Sequence, residues 1–333
     1  MGDLQPDGRP RAVLIAGPGA AATHAADLLG TLAGAGSPVT RLAPNRRRQC
    51  LRRPALGTAR LGRLRGPPAD RHPRRHRAEP VHARRTGVPP RLHGRRRRPR
   101  RAPPLAESVA GAHGLFIPMA TAPYDHDEPL AGSAPGVLWA LLTPLLALLD
   151  RVGLLTAPPD ALEAAADRLD QIAERCGPAI ATYSNPAKTL AAELADALPV
   201  IWTEGVAAGP AGRRFAAGLA ELSGVPAVVA ELPEALAEHS ALLAGPLAAS
   251  ADPDDFFRDR VDERPALHAR VVLLRDRPLG GLTAAPAARD LALSHDTPIS
   301  ELEPEPGGEI ETLAELIAVT DFAAVYLALV SRS

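Results

Sequence analysis

Lysine is nearly missing from this chain. Of its 38 basic residues one is lysine, Lys188, and the others are arginine. That bias reflects GC-rich coding more than any chemistry. Aromatic residues are scarce at 3%, although a hydrophobic content of 46% is ample for a core. Two cysteines, Cys50 and Cys176, make no disulfide framework and suit a reducing cytosol, the expected location. No apolar run reaches the roughly 20 residues that a membrane-spanning helix needs. The longest, GVLWALLTPLLALL at 136–149, reads as a buried helix. The N-terminal MGDLQPDGRPRAVLIAG carries acids early and too short an apolar run for a signal peptide. No GxSxG elbow, P-loop or metal-ligand spacing occurs, and Asp125–His126–Asp127 reads as a solvated loop cluster. No metal and no cofactor are expected.

The formal net charge of zero hides an asymmetry. Between Arg41 and Pro104 lie 22 arginines and two acids, Asp70 and Glu79, which leaves 16 basic and 36 acidic residues elsewhere. An acidic body thus carries a basic insert. The body alone gives no reason to expect nucleic acid as a partner. The insert has eleven prolines and no Ile, Phe, Met, Trp, Tyr or Lys. It lacks the apolar surface that offsets ordering entropy. GC-rich codons read in a shifted frame give such a composition, so 43–104 reads as a frameshifted, unstructured segment. The alternative is a basic arm for an anionic partner.

On either side the pattern is ordinary. RAVLIAG (11–17) reads as a strand, AAATHAADLLGTLAG as a helix, and SPVTRL (37–42) as the next strand. LAESVAGAHG (105–114) and LFIPMA read as helix and strand. In PPDALEAAADRLDQIAERCG (158–177), Asp160 and Glu163 have capping-box spacing. Leu162, Ala166, Leu169 and Ile172 form the stripe expected to be buried. NPAKTLAAELADAL, PVIWTEG, GPAGRRFAAGLAELSG, PAVVAE, LPEALAEHSALLAG, ARVVLLRD, TAAPAARDLALSHD and TPISEL then alternate helix and strand, and a last helix spans 311–332. Such alternation implies a parallel sheet with ligands at the carboxyl ends of its strands.

Several stretches carry a family resemblance: RAVLIAGPG, VLWALLTPLL, YSNPAKTLAAEL, PAVVAELPEA, DPDDFFRDRV with RVVLLRD, and LAELIAVTDFAAVYLAL. In these the chain resembles the bacterial phosphoglucose/phosphomannose isomerase family, in its divergent actinobacterial branch. The resemblance covers about 9–40 and 105–333. It implies two SIS (sugar isomerase) domains, each a three-layer αβα sandwich with a parallel sheet. The first would be built from 1–42 and 105–153 and interrupted by 43–104. The second would be 154–333 with its C-terminal helix. The implied activity is aldose–ketose isomerisation of mannose-6-phosphate or glucose-6-phosphate to fructose-6-phosphate. The alternative is a non-catalytic sugar-phosphate-binding or regulatory protein. The implied partner is a sugar phosphate, with no membrane, no nucleic acid and a possible homodimer.

The resemblance also assigns residues. A phosphate clamp falls on GPGAAAT, at Gly17, Gly19 and Thr23, although Ala20, Ala21 and Ala22 stand where the family has glycine or hydroxyl residues. Glu221 aligns with the catalytic base, but its flanking asparagines are here Ala220 and Leu222. The ring-opening histidine aligns with Ala237, and His239 stands two residues on. Two residues along a helix turn by about 200°, so His239 is expected at the surface. The family's substrate arginine falls at Pro135. Lys188 is a candidate anion contact because a lone lysine in an arginine-biased chain suggests a need for a compact ammonium. Thr203 and Gly205, ending the PVIWTEG strand, are the remaining substrate-binding candidates.

Overall fold

The computed structural model describes residues 13–16, 19–34, 39–42, 135–245, 267–276 and 282–331. All of them lie in one compact unit. The segment 43–104, the stretches 105–114 and LFIPMA, and the 125–127 cluster lie outside the described residues.

The N-terminal part is a strand–helix–strand unit, as its sequence implies. Strands β1 (Val13–Ala16) and β2 (Val39–Leu42) pair in parallel, with Val13 opposite Val39. Helix α1 (Gly19–Leu32) runs between them and buries Ala25, Leu28 and Leu29. Helix α2 (Pro135–Arg151) opens on a proline, whose fixed φ suits a first turn. It buries Leu138, Leu142, Leu146 and Leu149, one face of a 3.6-residue period.

Helix α3 (Pro159–Arg175) corrects two local expectations. Its N-cap is Pro158, with no side-chain cap, so Asp160 and Glu163 form no capping box. Its buried positions are Ala165, Arg168 and Ile172, with Leu162 and Leu169 half-buried and Ala166 exposed. A charged residue takes a core position because carboxylates wait for it, as described below. Helix α4 (Pro186–Leu194) starts where Asn185 Oδ1 accepts the Lys188 backbone N–H at 3.0 Å, with proline at its first position.

The main sheet follows. Strand β3 (Ala197–Glu204) leads to α5 (Ala208–Leu222), then β4 (Val228–Glu231). Two four-residue helices come next, α6 (Ala235–Glu238) and α7 (Ser240–Leu243). Strand β5 (His268–Arg275), helix α8 (Ala285–Ser294), strand β6 (Ile299–Leu302) and helix α9 (Glu309–Val330) complete it. The four strands are parallel in the order β4-β3-β5-β6. β3 and β5 are buried on both faces, which accounts for their continuous apolar runs.

The pleat sorts side chains into two cores. Ile201, Val272 and Leu274 face one layer with α1 to α5 and α9. Val200, Trp202, Val271 and Leu273 face the other, with α6, α7 and α8. The result is a three-layer αβα sandwich. Helix α9 is apolar enough to cross a membrane by length and composition. It is instead the central core helix, packed against α3, α4 and α5 with most of its surface buried.

Candidate functional site

Parallel strands bring their carboxyl ends to one edge. There Thr203 lies opposite Glu231, and Glu204 opposite Arg275. The chain leaves β3 through Gly205, whose φ of +106° favours glycine. Beyond it two helix N-termini are capped crosswise. Glu204, at the end of β3, accepts from the Ala284 N–H at 2.5 Å and from the Thr283 hydroxyl at 2.8 and 3.0 Å. Those groups open α8. Asp276, just past β5, accepts from the Ala207 N–H at 3.1 Å, where α5 opens. The Asp276 N–H donates to the Glu204 carbonyl at 2.7 Å and ties the two ends together. Arg275 Nε donates to Glu204 at 3.3 Å. A helix N-terminus offers N–H groups and positive potential to an anion. Here the protein's own carboxylates occupy both.

Around this edge opens a cleft of about 540 Å³, lined by Glu204, Gly205, Glu231, Leu232, Pro233, Glu234, Leu282, Thr283 and Ala284. Glu231 does not swing freely. Arg213 Nη1 donates to it at 2.7 Å, while Arg213 Nε and Nη2 donate to Asp27 of α1 at 2.8 and 3.0 Å. The Glu231 carboxylate lies over the first turn of α5, where a Cβ on Gly209 would stand 2.8 Å from its Oε1. The lining offers carboxylate acceptors and one hydroxyl. That set suits the hydroxyls of a polyol and repels a phosphate dianion.

The residues singled out in the sequence are dispersed. Gly17 lies outside the described residues. Gly19 is the first residue of α1, and Thr23 is exposed on it. Gly205 lines the cleft. Thr203 is 1% exposed beside it, and its hydroxyl has no hydrogen-bond partner among the described residues. Its methyl faces α5, close to Gly212.

Lys188 is committed within the fold. Its Nζ donates to the carbonyls of Pro178 and Ile180 at 2.8 and 2.7 Å, and lies 5.4 Å from the centre of the Tyr326 ring. That accounts for a compact ammonium by packing. Glu221 is exposed on the last turn of α5. The rise per residue sets it about 20 Å along the helix from the cleft edge.

His239 corrects the surface expectation. It is 7% exposed, and its Nδ1 accepts the indole N–H of buried Trp202 at 3.0 Å. The 200° argument assumed one continuous helix over LPEALAEHSALLAG, whereas the helix breaks at His239 itself. Burial pushes its imidazole below the ordinary value, with Glu238 acting weakly the other way.

Sequence reasoning missed Glu204 and Asp276. Each is an acid just past an apolar strand, which is the legible signal. Their partners lie 80 and 69 residues away, beyond any local capping pattern.

The family model described as "Bacterial phospho-glucose isomerase C-terminal SIS domain" matches residues 183–332. This part of the chain is a SIS domain of the bacterial phosphoglucose isomerase kind. The matched stretch runs from the 3₁₀ turn before α4 to the end of α9, and so includes the whole four-stranded sheet. Among solved structures, the chain is similar to a glucose-6-phosphate isomerase like protein from Thermus thermophilus. That alignment has 21% identity and a TM-score of 0.44, and covers 59% of each chain. It is also similar to the C-terminal domain of glucosamine-fructose-6-phosphate aminotransferase from Francisella tularensis. There the identity is 17%, the TM-score 0.31, and the coverage 59% of this chain and 53% of that one. The chain thus spans less than two thirds of either solved structure. No curated protein matches. The assignment of 183–332 rests on the family match.

Proposed function

We propose that this chain binds a sugar phosphate through its SIS fold and does not isomerise it. The ligand class follows from the family of the C-terminal domain. The observation that carries the absence of turnover is the commitment of His239. Its one basic nitrogen in reach of a donor is used by Trp202 behind the sheet, while Glu221 stands at the far end of α5. Isomerisation needs a base at the proton beside the carbonyl and a group that opens the ring. In this reading neither Glu221 nor His239 fills those roles at the cleft.

The sugar's hydroxyls would meet Glu204, Glu231 and Thr283. The phosphate would stay out of the carboxylate-capped edge, with Gly17, Gly19 and Thr23 as its proposed contacts in an incomplete first SIS domain. A homodimer and the lack of a nucleic-acid partner belong to the same proposal.

Thermal unfolding with added ligand tests it. Fructose-6-phosphate near 100 times its Kd stabilises by about 2.7 kcal/mol, which for a domain of this size is roughly 5–10 °C. Free fructose and inorganic phosphate, each carrying half of the contacts, should give smaller shifts at the same concentration. No shift with any sugar phosphate would overturn the reading.

A further inference from the structure

The indole N–H of Trp202 can only donate. Its acceptor, Nδ1 of His239, therefore carries a lone pair, which places the ring proton on Nε2. An imidazolium carries N–H at both nitrogens and accepts nothing. Adding a proton thus breaks the bond and sets one N–H against another in a buried place.

This bond holds a weakly anchored segment. Helices α6 and α7 have four residues each, too few to be stable alone. They meet at His239, whose N–H donates to the Ala235 carbonyl and whose own carbonyl accepts from Leu242 and Leu243. Within the segment, Ala235 and Leu243 are the fully buried apolar side chains. Immediately before it, Leu232, Pro233 and Glu234 form a wall of the cleft.

We propose that the Trp202–His239 hydrogen bond is an acid-sensitive latch: neutral His239 docks 235–243 on the sheet and fixes the cleft wall, and protonated His239 releases both.

The surrounding charges are accounted for by element. Glu238, on the same turn, favours the proton, and burial opposes it more strongly. On the same sheet face Glu204 of β3 and Arg275 of β5 pair with each other. Glu231 of β4 is held by Arg213 at the α5 side. On α8, Arg289 pairs with Glu301 of β6, and Asp290 is exposed. Glu234 is exposed at the start of α6.

The sign follows from proton binding. The unfolded chain takes up its proton near the ordinary 6.5, and the folded ring does so only at lower pH. Between those values the unfolded state binds more protons, so the docked state is most favoured above 6.5 and loses ground as pH falls through it.

The test uses the full chain in a Trp139→Phe background, which leaves Trp202 as the single tryptophan. Its emission is followed from about pH 8 to about pH 5. We expect a reversible red shift and stronger acrylamide quenching as acid is added. The chain has nine other histidines, so His239→Gln supplies the contrast. Its amide oxygen accepts the indole proton at every pH, and the transition should vanish. A transition that survives His239→Gln, or none in the Trp139→Phe chain, overturns the latch. Should His239→Gln not fold, hydrogen exchange on the unsubstituted chain decides. After correction for intrinsic rates, 235–243 should exchange several-fold faster near pH 5.5 than near pH 7.5, with 199–203 and 311–327 unchanged. An equal rise in all three stretches would mean general loosening and would sink the proposal.

Discussion

Thr203 is the residue where the fold and the proposed ligand make opposite demands. A buried hydroxyl with no partner costs about 1–3 kcal/mol relative to a satisfied one. Valine has nearly the same shape without the hydroxyl. Thr203→Val should therefore raise stability by about 1 kcal/mol, read as a higher urea midpoint at an unchanged m-value. Should the midpoint fall, the hydroxyl has a partner in solution, and a bound sugar is the first to examine. Arg168 makes the reverse case. Its guanidinium donates to Glu311 at 2.8 Å, and to Glu315 across the α3–α9 contact. Glu315 is 5% exposed at its side chain. Arg168→Ala leaves that carboxylate only Arg175 Nη2 at 3.2 Å and the Glu305 N–H at 3.1 Å, and should cost about 1–3 kcal/mol. A loss under about 1 kcal/mol would show that Arg175 and the Glu305 N–H suffice for Glu315.

Elements pack here through small residues, which gives paired expectations on α5. A Cβ on Gly212 would stand 2.5 Å from the Thr203 methyl, on a β-branched side chain that has little freedom to yield. A Cβ on Gly218 would meet Ala324 of α9 at 3.6 Å, ordinary contact. Gly212→Ala should therefore destabilise by about 1–3 kcal/mol through overpacking. Gly218→Ala should stabilise by up to about 1 kcal/mol through helix propensity. Chemical denaturation of the two variants side by side checks the pair, and equal effects would contradict the packing described. The crossed caps predict a further loss. Glu204→Gln weakens the charge at the start of α8 and should cost about 1 kcal/mol.

Element order was legible because apolar runs and glycine or proline stops mark β3, β5, α2 and α9 directly. Three things were not. The capping-box spacing at Asp160 was local pattern without the geometry, since Pro158 already sets the turn. The break at His239 is invisible because 234–244 hold no proline or glycine, and it falls where His239 bonds Trp202. The carboxylates that close α5 and α8 come from strands far away in sequence, so no window could pair them. Arg168 misled for the same reason, because the acids that admit it to the core sit on α9.

At the scale of the whole molecule, residues 183–332 match a SIS domain, the starts of α5 and α8 there are met by Asp276 and Glu204, and Arg213 joins this part to Asp27 of the strand–helix–strand unit. The histidine and glutamate that the family resemblance offers for catalysis stand apart. One is bonded to Trp202, and the other is exposed at the opposite end of α5. Binding without turnover is the central claim, and a coupled assay for interconversion of mannose-6-phosphate, glucose-6-phosphate and fructose-6-phosphate meets it most directly. The account predicts no rate above the uncatalysed background at ligand concentrations that raise the unfolding temperature. Turnover that disappears in Glu221→Gln would contradict it and return Glu221 to the role of base.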